Sequence, residues 1–426
     1  MSLTEDQQTI LDKIVNSVSE SYYQKDIESR MFSITGNAGT GKSYLTSKIA
    51  TALDEKYISV KLTAPTHKAA AVLRELITNL EVSTIHSHLC LKVTEDTNTG
   101  VRSLSADRDF KPGRVDVLLV DEFSMIDNEL FRHIVRFLNI GYVKYVVFIG
   151  DHYQLPPVNN EFSILDEVPI ENQMFLYEIL RQAADNPVIQ LSAICVDHIK
   201  KAKSKQSLTN EIVAFGTQEQ IKHYNQKEEF FEAFIADQND DSVILSYTNN
   251  AVDQNNKIAR IFKKGENIPD YVKGDRLIFQ DMYKLDSNTF QNNQEVVVKK
   301  ATLAKDAKYD VNYWNLLTDC GKVKAIASDS LAHWNDIIKR ITNDAVKEKD
   351  NQLRRQKWAM YFRIKKKFAD TKLHYSSTIH KSQGSTYPNV YLDLTAMNYL
   401  DNNIFCRLAY VGITRTSNQL HLLSHQ

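Results

Sequence analysis

The chain has 426 residues, enough for two to four domains of ordinary size. Its 52 Lys and Arg nearly balance 53 Asp and Glu, so no global charge draws it to nucleic acid or a membrane, although a local basic channel stays open to it. Cys90, Cys195, Cys320 and Cys406 are scattered without metal-ligand spacing, which argues against a disulfide framework or a zinc site. No apolar run approaches the ~20 residues that span a bilayer. Met1-Ser-Leu-Thr-Glu-Asp6 lacks the basic and apolar regions of a signal peptide, so the expectation is a cytoplasmic protein with no membrane partner.

Residues 3 to 16 read as an amphipathic helix, with Thr4 as N-cap and Leu11, Ile14 and Val15 on one face. On its own Gln7 reads as the capping-box partner of Thr4. An apolar strand from Met31 to Ile34 then leads into Gly36-Asn37-Ala38-Gly39-Thr40-Gly41-Lys42-Ser43, followed by a helical pattern from Lys42 to Leu53. That spacing and context are those of a phosphate-binding P-loop. Its glycines let successive N–H groups turn inward around phosphate oxygens at a helix N-terminus. Lys42 can reach the β- and γ-phosphates and the Ser43 hydroxyl can ligate Mg²⁺, so the chain is expected to bind a nucleoside triphosphate.

A strand over Ile58 to Thr63 precedes Ala64-Pro65-Thr66-His67-Lys68, which opens a helix, so a βαβα order with a mainly parallel sheet emerges. Ser83-Thr84-Ile85-His86-Ser87 follows, and then a stretch without helical periodicity, Leu91 to Pro112. Its middle, Val93 to Val101, suggests two short strands about a polar turn, either a surface hairpin or a functional wedge. Val117 to Val120 is an apolar strand ending in Asp121-Glu122. At this distance behind a P-loop it has the Walker B form, in which Asp121 holds the Mg²⁺ shell and Glu122 orients or deprotonates water. A strand from Tyr145 to Ile149 leads into Gly150-Asp-His-Tyr-Gln154-Leu-Pro156-Pro157, which places the Gln154 amide past a strand's carboxyl end, where ligands bind in open α/β sheets.

Asn186-Pro187 caps a new helix, and Gln238 to Asp241 is a linker signal before a strand at Val243 to Ser246 and a helix from Asn249. Between about 271 and 370 the chain turns β-like (Gly274 to Phe279, Glu295 to Val298) and then, after Ser328-Asp-Ser330, becomes one long charged helical tract ending near Phe368. Trp334, Ile337, Ile338, Ile341, Trp358, Tyr361 and Phe362 in that tract are expected to face a core. The tail holds Thr378-Ile-His380-Lys381-Ser-Gln383-Gly384-Ser-Thr386, a strand from Val390 to Leu394, and a last helix containing Ala409-Tyr410-Val-Gly-Ile-Thr414-Arg415.

With these segments in this order, the chain resembles superfamily 1 helicases, and within them the superfamily 1B branch that contains RecD, Pif1 and the phage Dda helicase. The resemblance implies an α/β fold of two RecA-like parallel-sheet domains, with a small hairpin inserted in the first and a β-barrel with a helical arm in the second. It divides the chain into a domain of residues 1–88 and 116–180, a hairpin insertion of 89–115, a second RecA-like domain of 181–270 and 371–426, and a barrel with its arm at 271–370. The implied activity is ATP-dependent, 5′-to-3′ translocation on single-stranded DNA with unwinding of duplex. The alternatives are a motor subunit of a larger repair complex and a protein-displacing translocase. The implied nucleotide site comprises Gln7 as adenine reader, Gly36 to Ser43, Gln383 and Gly384, with Lys42, Asp121, Glu122, Gln154, Arg181 and Arg415 as catalytic groups. Ser43 and Asp121 would hold Mg²⁺ beside ATP. Pro65, Thr66, His67, Thr84, His86, His380 and Lys381 would grip DNA, although His86 alone reads equally as a buried structural histidine. Implied partners are single-stranded DNA, single-strand/duplex junctions, and replication or recombination proteins, with the chain acting as a monomer in the cytoplasm, the host's if it is phage-encoded.

Overall fold

The computed structural model describes residues 3–20, 26–77, 80–95, 102–106, 113–157, 162–180, 185–237, 239, 241–266 and 268–424. The chain divides into two compact units: Met1–Lys92 with Ala106–Asp253 and Ser377–Gln426, and Val93–Ser105 with Gln254–Ser376.

The first unit contains two sheets. One is built from β1 (Met31–Gly36), β2 (Val60–Ala64), β3 (Val82–Thr84), β6 (Val115–Val120), β7 (Val143–Gly150) and β8 (Gln173–Leu176), in the order β3-β2-β6-β7-β1-β8. Every pairing in it is parallel, so the chain must cross over after each strand, and helices fill the crossovers. Burial on both faces explains why VDVLLV and VKYVVFIG are nearly continuous apolar runs rather than alternating ones. Ile14, Leu45, Ile49, Leu62, Val117, Val147 and Ile149 pack into one core around this sheet.

The second sheet has the order β18-β10-β19-β20-β9, from β9 (Ile221–Tyr224), β10 (Val243–Ser246), β18 (Ser376–Thr378), β19 (Tyr387–Asp393) and β20 (Thr416–Leu423). β10, β19, β20 and β9 run parallel. The sequence reading stops at a final helix and so omits β20. Its opening Thr-Ser-Asn-Gln looks like a loop, and only Leu420, Leu422 and Leu423 are core-like. The Asn402–Ile413 helix is buried from Phe405 to Ile413 save for a half-buried Arg407, and it packs between β19 and β20 and the Pro187–Lys200 helix.

In the second unit β11 (Arg276–Phe279), β14 (Glu295–Asp306), β15 (Val311–Thr318), β16 (Lys322–Ile326) and β17 (Thr371–Leu373) form an antiparallel sheet ordered β16-β15-β14-β11-β17. An isolated parallel bridge pairs Ala325 of β16 with Ala369, two residues ahead of β17. β12 (Tyr283–Leu285) and β13 (Asn288–Phe290) make a separate hairpin whose Tyr283 and Phe290 pack with Phe279 in this core. The expected single helical tract is two helices, Leu331–Lys347 and Asn351–Lys365, broken at Glu348 to Asp350. Asp350 makes the break: its carboxylate accepts the Gln352 and Leu353 N–H groups and so starts a new helix. Trp334, Ile364 and Phe368 anchor the pair on Val311, with Ile337, Ile338 and Ile341 against them. β4 (Leu91–Glu95) and β5 (Arg102–Ala106) pair as a two-stranded ribbon at the place expected for a hairpin; its turn, 96–101, lies outside the described residues.

Candidate nucleotide site and strand-gripping elements

The loop from Gly36 to Gly41 is shaped by positions that refuse a side chain. Gly39 and Gly41 sit at φ 82° and 77°, and a Cβ on Gly36 would lie 2.5 Å from Thr40 Oγ1. Lys42 Nζ donates to the Gly36 and Asn37 carbonyl oxygens at 2.6 and 2.9 Å, so the loop's cation rests on the loop itself. Ser43 is half-buried in the first helical turn beside it. Gln7 does both things the sequence allows. Its Oε1 accepts the Thr4 N–H while Thr4 Oγ1 accepts the Gln7 N–H, a reciprocal capping box. Its Nε2 also donates to Thr40 O at 3.1 Å, and the residue is 1% exposed. Leu180 closes the same turn, its N–H donating to Gly39 O. Arg181 lies outside the described residues.

Asp121 and Glu122 stand at the end of β6, one strand removed from β1 across β7. Burial, and then the neighbouring Glu122 charge, push the Asp121 carboxyl well above the usual carboxylate range, against the pull of Lys42. Glu122 is held at φ 54°, a strained setting for a non-glycine residue, and its buried Oε2 has no partner. Gly150 permits this turn: a Cβ there would lie 2.9 Å from the Phe123 backbone nitrogen. Neither carboxylate forms an ion pair among the described residues, and Ser43 adds a hydroxyl, which fits a divalent ion that takes its remaining ligands from phosphate. Accordingly no cluster of three or more His, Cys, Asp or Glu suited to a metal occurs among the described residues.

The segment after β7 links the two sheets. Asp151 Oδ1 accepts the Tyr153 N–H at 3.0 Å, and its Oδ2 accepts the Tyr410 hydroxyl proton. The same hydroxyl accepts the Ala38 N–H of the phosphate loop at 3.1 Å. Burial and the Asp151 carboxylate push the Tyr410 phenol well above its usual range, so it remains a donor. Arg407 Nη1 donates to the carbonyls of His152 (2.7 Å) and Gln154 (2.9 Å). Gln154 is 5% exposed and its Oε1 has no partner; it also lines a cavity of about 440 Å³ with Phe123, Ser124 and Arg407. Sequence reasoning passed over Tyr410 and Arg407. The available signal was their place five and eight residues ahead of Arg415 on a helix otherwise too apolar to carry them idly.

Three expected nucleotide contacts are not brought to the phosphate loop. Gln383 Nε2 donates instead to Leu155 O at 3.1 Å, joining the segment after β7. A Cβ on Gly384 would meet Ala69 Cβ at 3.1 Å and Thr66 Oγ1 at 3.7 Å, so this glycine abuts the Thr66 turn. The Arg415 guanidinium is turned onto its own surroundings, bonded to Val411 O, Ser385 O and Thr414 Oγ1. In each case the residue's own neighbours satisfy its polar or steric demand, which residue spacing does not reveal.

The expected strand-gripping residues share one local design. Thr66 and Thr84, and with them Thr378, which the sequence reading does not assign to the grip, each cap a helix, their Oγ1 accepting the N–H three residues on at 3.1, 3.1 and 3.2 Å; Thr84 and Thr378 end β3 and β18, and Thr66 lies two residues past β2. A hydroxyl that accepts still has a proton to donate. Pro65 is half-buried and Lys381 is exposed. Desolvation is the chief cause that lowers the pKa of half-buried His86 and His380 and of the more exposed His67, which favours the neutral imidazole in each.

Comparison with known proteins gives a consistent picture. Residues 20–160 match an AAA domain family, and residues 373–423 match a UvrD-like helicase C-terminal domain. The ATP-dependent DNA helicase dda of Enterobacteria phage T4 is 25% identical over 446 residues, covering 97% of each chain. The RecD2 DNA helicase of Deinococcus radiodurans is 31% identical over 188 residues, 44% of this chain and 23% of that protein. A crystal structure of Bacteroides Pif1 bound to single-stranded DNA matches with a TM-score of 0.52 at 16% identity, over 99% of this chain and 92% of that one, which is a likeness of fold.

Proposed function

We infer that this chain, which belongs to the superfamily 1B helicases of the RecD, Pif1 and Dda type, is an ATP-driven motor that moves on single-stranded DNA and unwinds duplex DNA. The observation that carries the reading is the Tyr410 hydroxyl, which joins the phosphate loop at Ala38 to Asp151 from a helix that belongs to the other sheet. A small-molecule kinase needs a phosphate loop but has no use for a second parallel sheet wired to it. A motor needs that wiring, because phosphate contacts must bias a two-state arrangement of the elements holding the strand.

In this reading Gly36 to Ser43 wrap the phosphates, and Lys42 leaves the Gly36 and Asn37 carbonyls to meet them. Ser43 and Asp121 hold Mg²⁺, which supplies charge neutralisation when bound. Glu122, already unpartnered and strained, orients or deprotonates the attacking water, and Gln154 donates from its amide nitrogen to the γ-phosphate and so reports its loss. Arg181 and Arg415 stabilise transition-state charge, and Arg415 must leave Val411 and Ser385 to do so. Gln7 and Leu180 bracket the adenine. The three capping threonines, with His67, His86 and His380, hold one DNA strand by its backbone, which is sequence-tolerant. The polarity is 5′-to-3′. The RecA-like domains are 1–88 with 116–180 and 181–270 with 371–426; the 89–115 hairpin separates strands, and 271–370, where a bridge pairs Ala325 with Ala369, is the small barrel with its arm. The chain works as a monomer in the cytoplasm.

The test is ATP hydrolysis with and without single-stranded DNA, together with unwinding of duplexes bearing a 5′ or a 3′ overhang. Stimulated hydrolysis with unwinding from the 5′ overhang is the expected result. Hydrolysis indifferent to DNA would remove the motor reading.

A further inference from the structure

Charge is distributed very unevenly between the arm and the rest of the chain. Residues 331–367, the two arm helices with their connection and the turn that follows, hold eleven Lys and Arg against four Asp and Glu, a net charge of +7. The other 389 residues hold 41 against 49, a net −8. The near-neutral total therefore conceals a strongly basic arm and an acidic remainder of the chain. Within it the Asn351–Lys365 helix contains no acid at all. Arg355, Arg363 and the adjoining Lys366 are all exposed, and on a 3.6-residue helix they fall within about 80° of one another, opposite buried Ile364. On the Leu331–Lys347 helix, Lys339, Arg340 and Lys347 are likewise exposed.

We propose that this basic arm is a docking surface for the phosphate backbone of double-stranded DNA, separate from the elements that grip the single strand. The inference rests on the helicase reading above. Two observations select the duplex. First, the arm's Trp, Phe and Tyr rings are covered, Trp334 and Trp358 buried and Tyr361 and Phe362 half-buried, which leaves the small His333 imidazole as its exposed ring. Sequence-tolerant binding of unpaired bases relies on large exposed rings as stacking platforms, whereas a duplex hides its bases and offers two rows of phosphates to surface cations. Second, the ribbon residues Val93–Ser105 fall in the same compact unit as the arm, so the element proposed to part the strands and the basic helices belong to one body. The anchoring of the arm through Trp334, Ile364 and Phe368 makes it a stiff support for those charges rather than a trailing chain.

The test compares the full chain with its Arg355→Gln/Arg363→Gln/Lys366→Gln variant. Binding to a blunt 20-base-pair duplex and to a single-stranded oligonucleotide is measured across a salt series. The inference expects duplex affinity to fall at least tenfold near physiological salt. The slope of log K against log salt should become shallower by about 0.9 for each phosphate that a replaced cation had neutralised. Single-strand affinity and single-strand-stimulated hydrolysis should stay within twofold of the parent. An equal loss on both nucleic acids would make the arm part of the single-strand grip and overturn the proposal. No loss on either would leave the arm to an acidic protein partner and overturn it as well. If the triple variant folds poorly, Lys339→Gln/Arg340→Gln/Lys347→Gln on the other helix puts the same question. A parent chain without DNA-stimulated hydrolysis would count against the motor reading itself, an outcome distinct from both.

Discussion

At the scale of single residues, the site is a set of groups left deliberately unsatisfied beside groups that are over-satisfied. Glu122 Oε2 and Gln154 Oε1 are buried without partners, while Lys42 already holds two carbonyls. An orphaned buried acceptor costs stability, and at this site a bound substrate, ion or ordered water would complete both. Glu122→Gln is expected to bind ATP and DNA normally while turnover falls ~10²-fold or more, the scale of a lost general base. If nucleotide affinity fell in step with turnover, Glu122 would be structural. Tyr410→Phe keeps the buried ring and removes only the hydroxyl that joins Ala38 and Asp151. Loss of a charge-assisted hydrogen bond is worth about 1.5–3 kcal/mol, so DNA-stimulated kcat should fall about tenfold or more with KM for ATP little changed. A matching rise in KM would mean that Tyr410 serves phosphate binding directly rather than the joining of Ala38 to Asp151.

At the scale of elements, the ribbon of β4 and β5 is the part whose purpose is open to a clean deletion. Translocation requires only a grip on one strand, whereas parting a duplex requires something rigid where the strands separate, at a cost of about 1–2 kcal/mol per step. Replacing residues 95–102 with a two-residue linker should abolish unwinding yet spare DNA-stimulated hydrolysis and single-strand translocation, measured by displacement of a block from an unpaired track. Loss of all three would make the ribbon part of the fold or of the grip. Surviving unwinding would move the wedge elsewhere, with the strands from Gly274 to Val298 the next place to cut.

For the whole molecule, acid sensitivity follows from imidazoles buried in the neutral form. His421 lies 3.9 Å from the Tyr391 ring and its Nδ1 faces the Tyr224 hydroxyl at 2.8 Å. Burial, then Lys222, lowers its pKa to about 4, and burial, then Lys61, does the same for His88. Between pH 6.5 and 4 the unfolded chain therefore binds protons that the folded chain refuses, so stability falls as pH falls through that window and is unaffected above it. The full shift at His421 is worth roughly 3 kcal/mol, with less at half-buried His88. His421→Phe retains the stacking on Tyr391 and should narrow the gap between melting temperatures at pH 7.5 and pH 5. An unchanged gap would place the responsible protonation elsewhere.

What the linear sequence determined here is whatever depends on neighbours within a few residues. The phosphate loop between Met31 and Lys42, the Walker B acids, the capping box at Thr4 and Gln7, the strand at Val243 to Ser246 and the helix from Asn249 were all legible, because backbone geometry, capping and strand burial act at short range. The order of those segments was enough for the parallel α/β architecture. Tertiary structure alone decided where long side chains spend their hydrogen bonds. Gln383 serves Leu155 instead of the phosphate loop, Arg415 is turned onto Ser385, and Tyr410 reaches Ala38 across 372 positions of chain. It likewise decided that the charged tract folds back on itself at Asp350, and that β20 is a buried strand rather than a tail. The physical reason is common to all of these. Burial rewards pairing of polar groups and covering of apolar ones, the surfaces that do so are set by how the sheets and helices come together, and spacing along the chain carries no record of that choice.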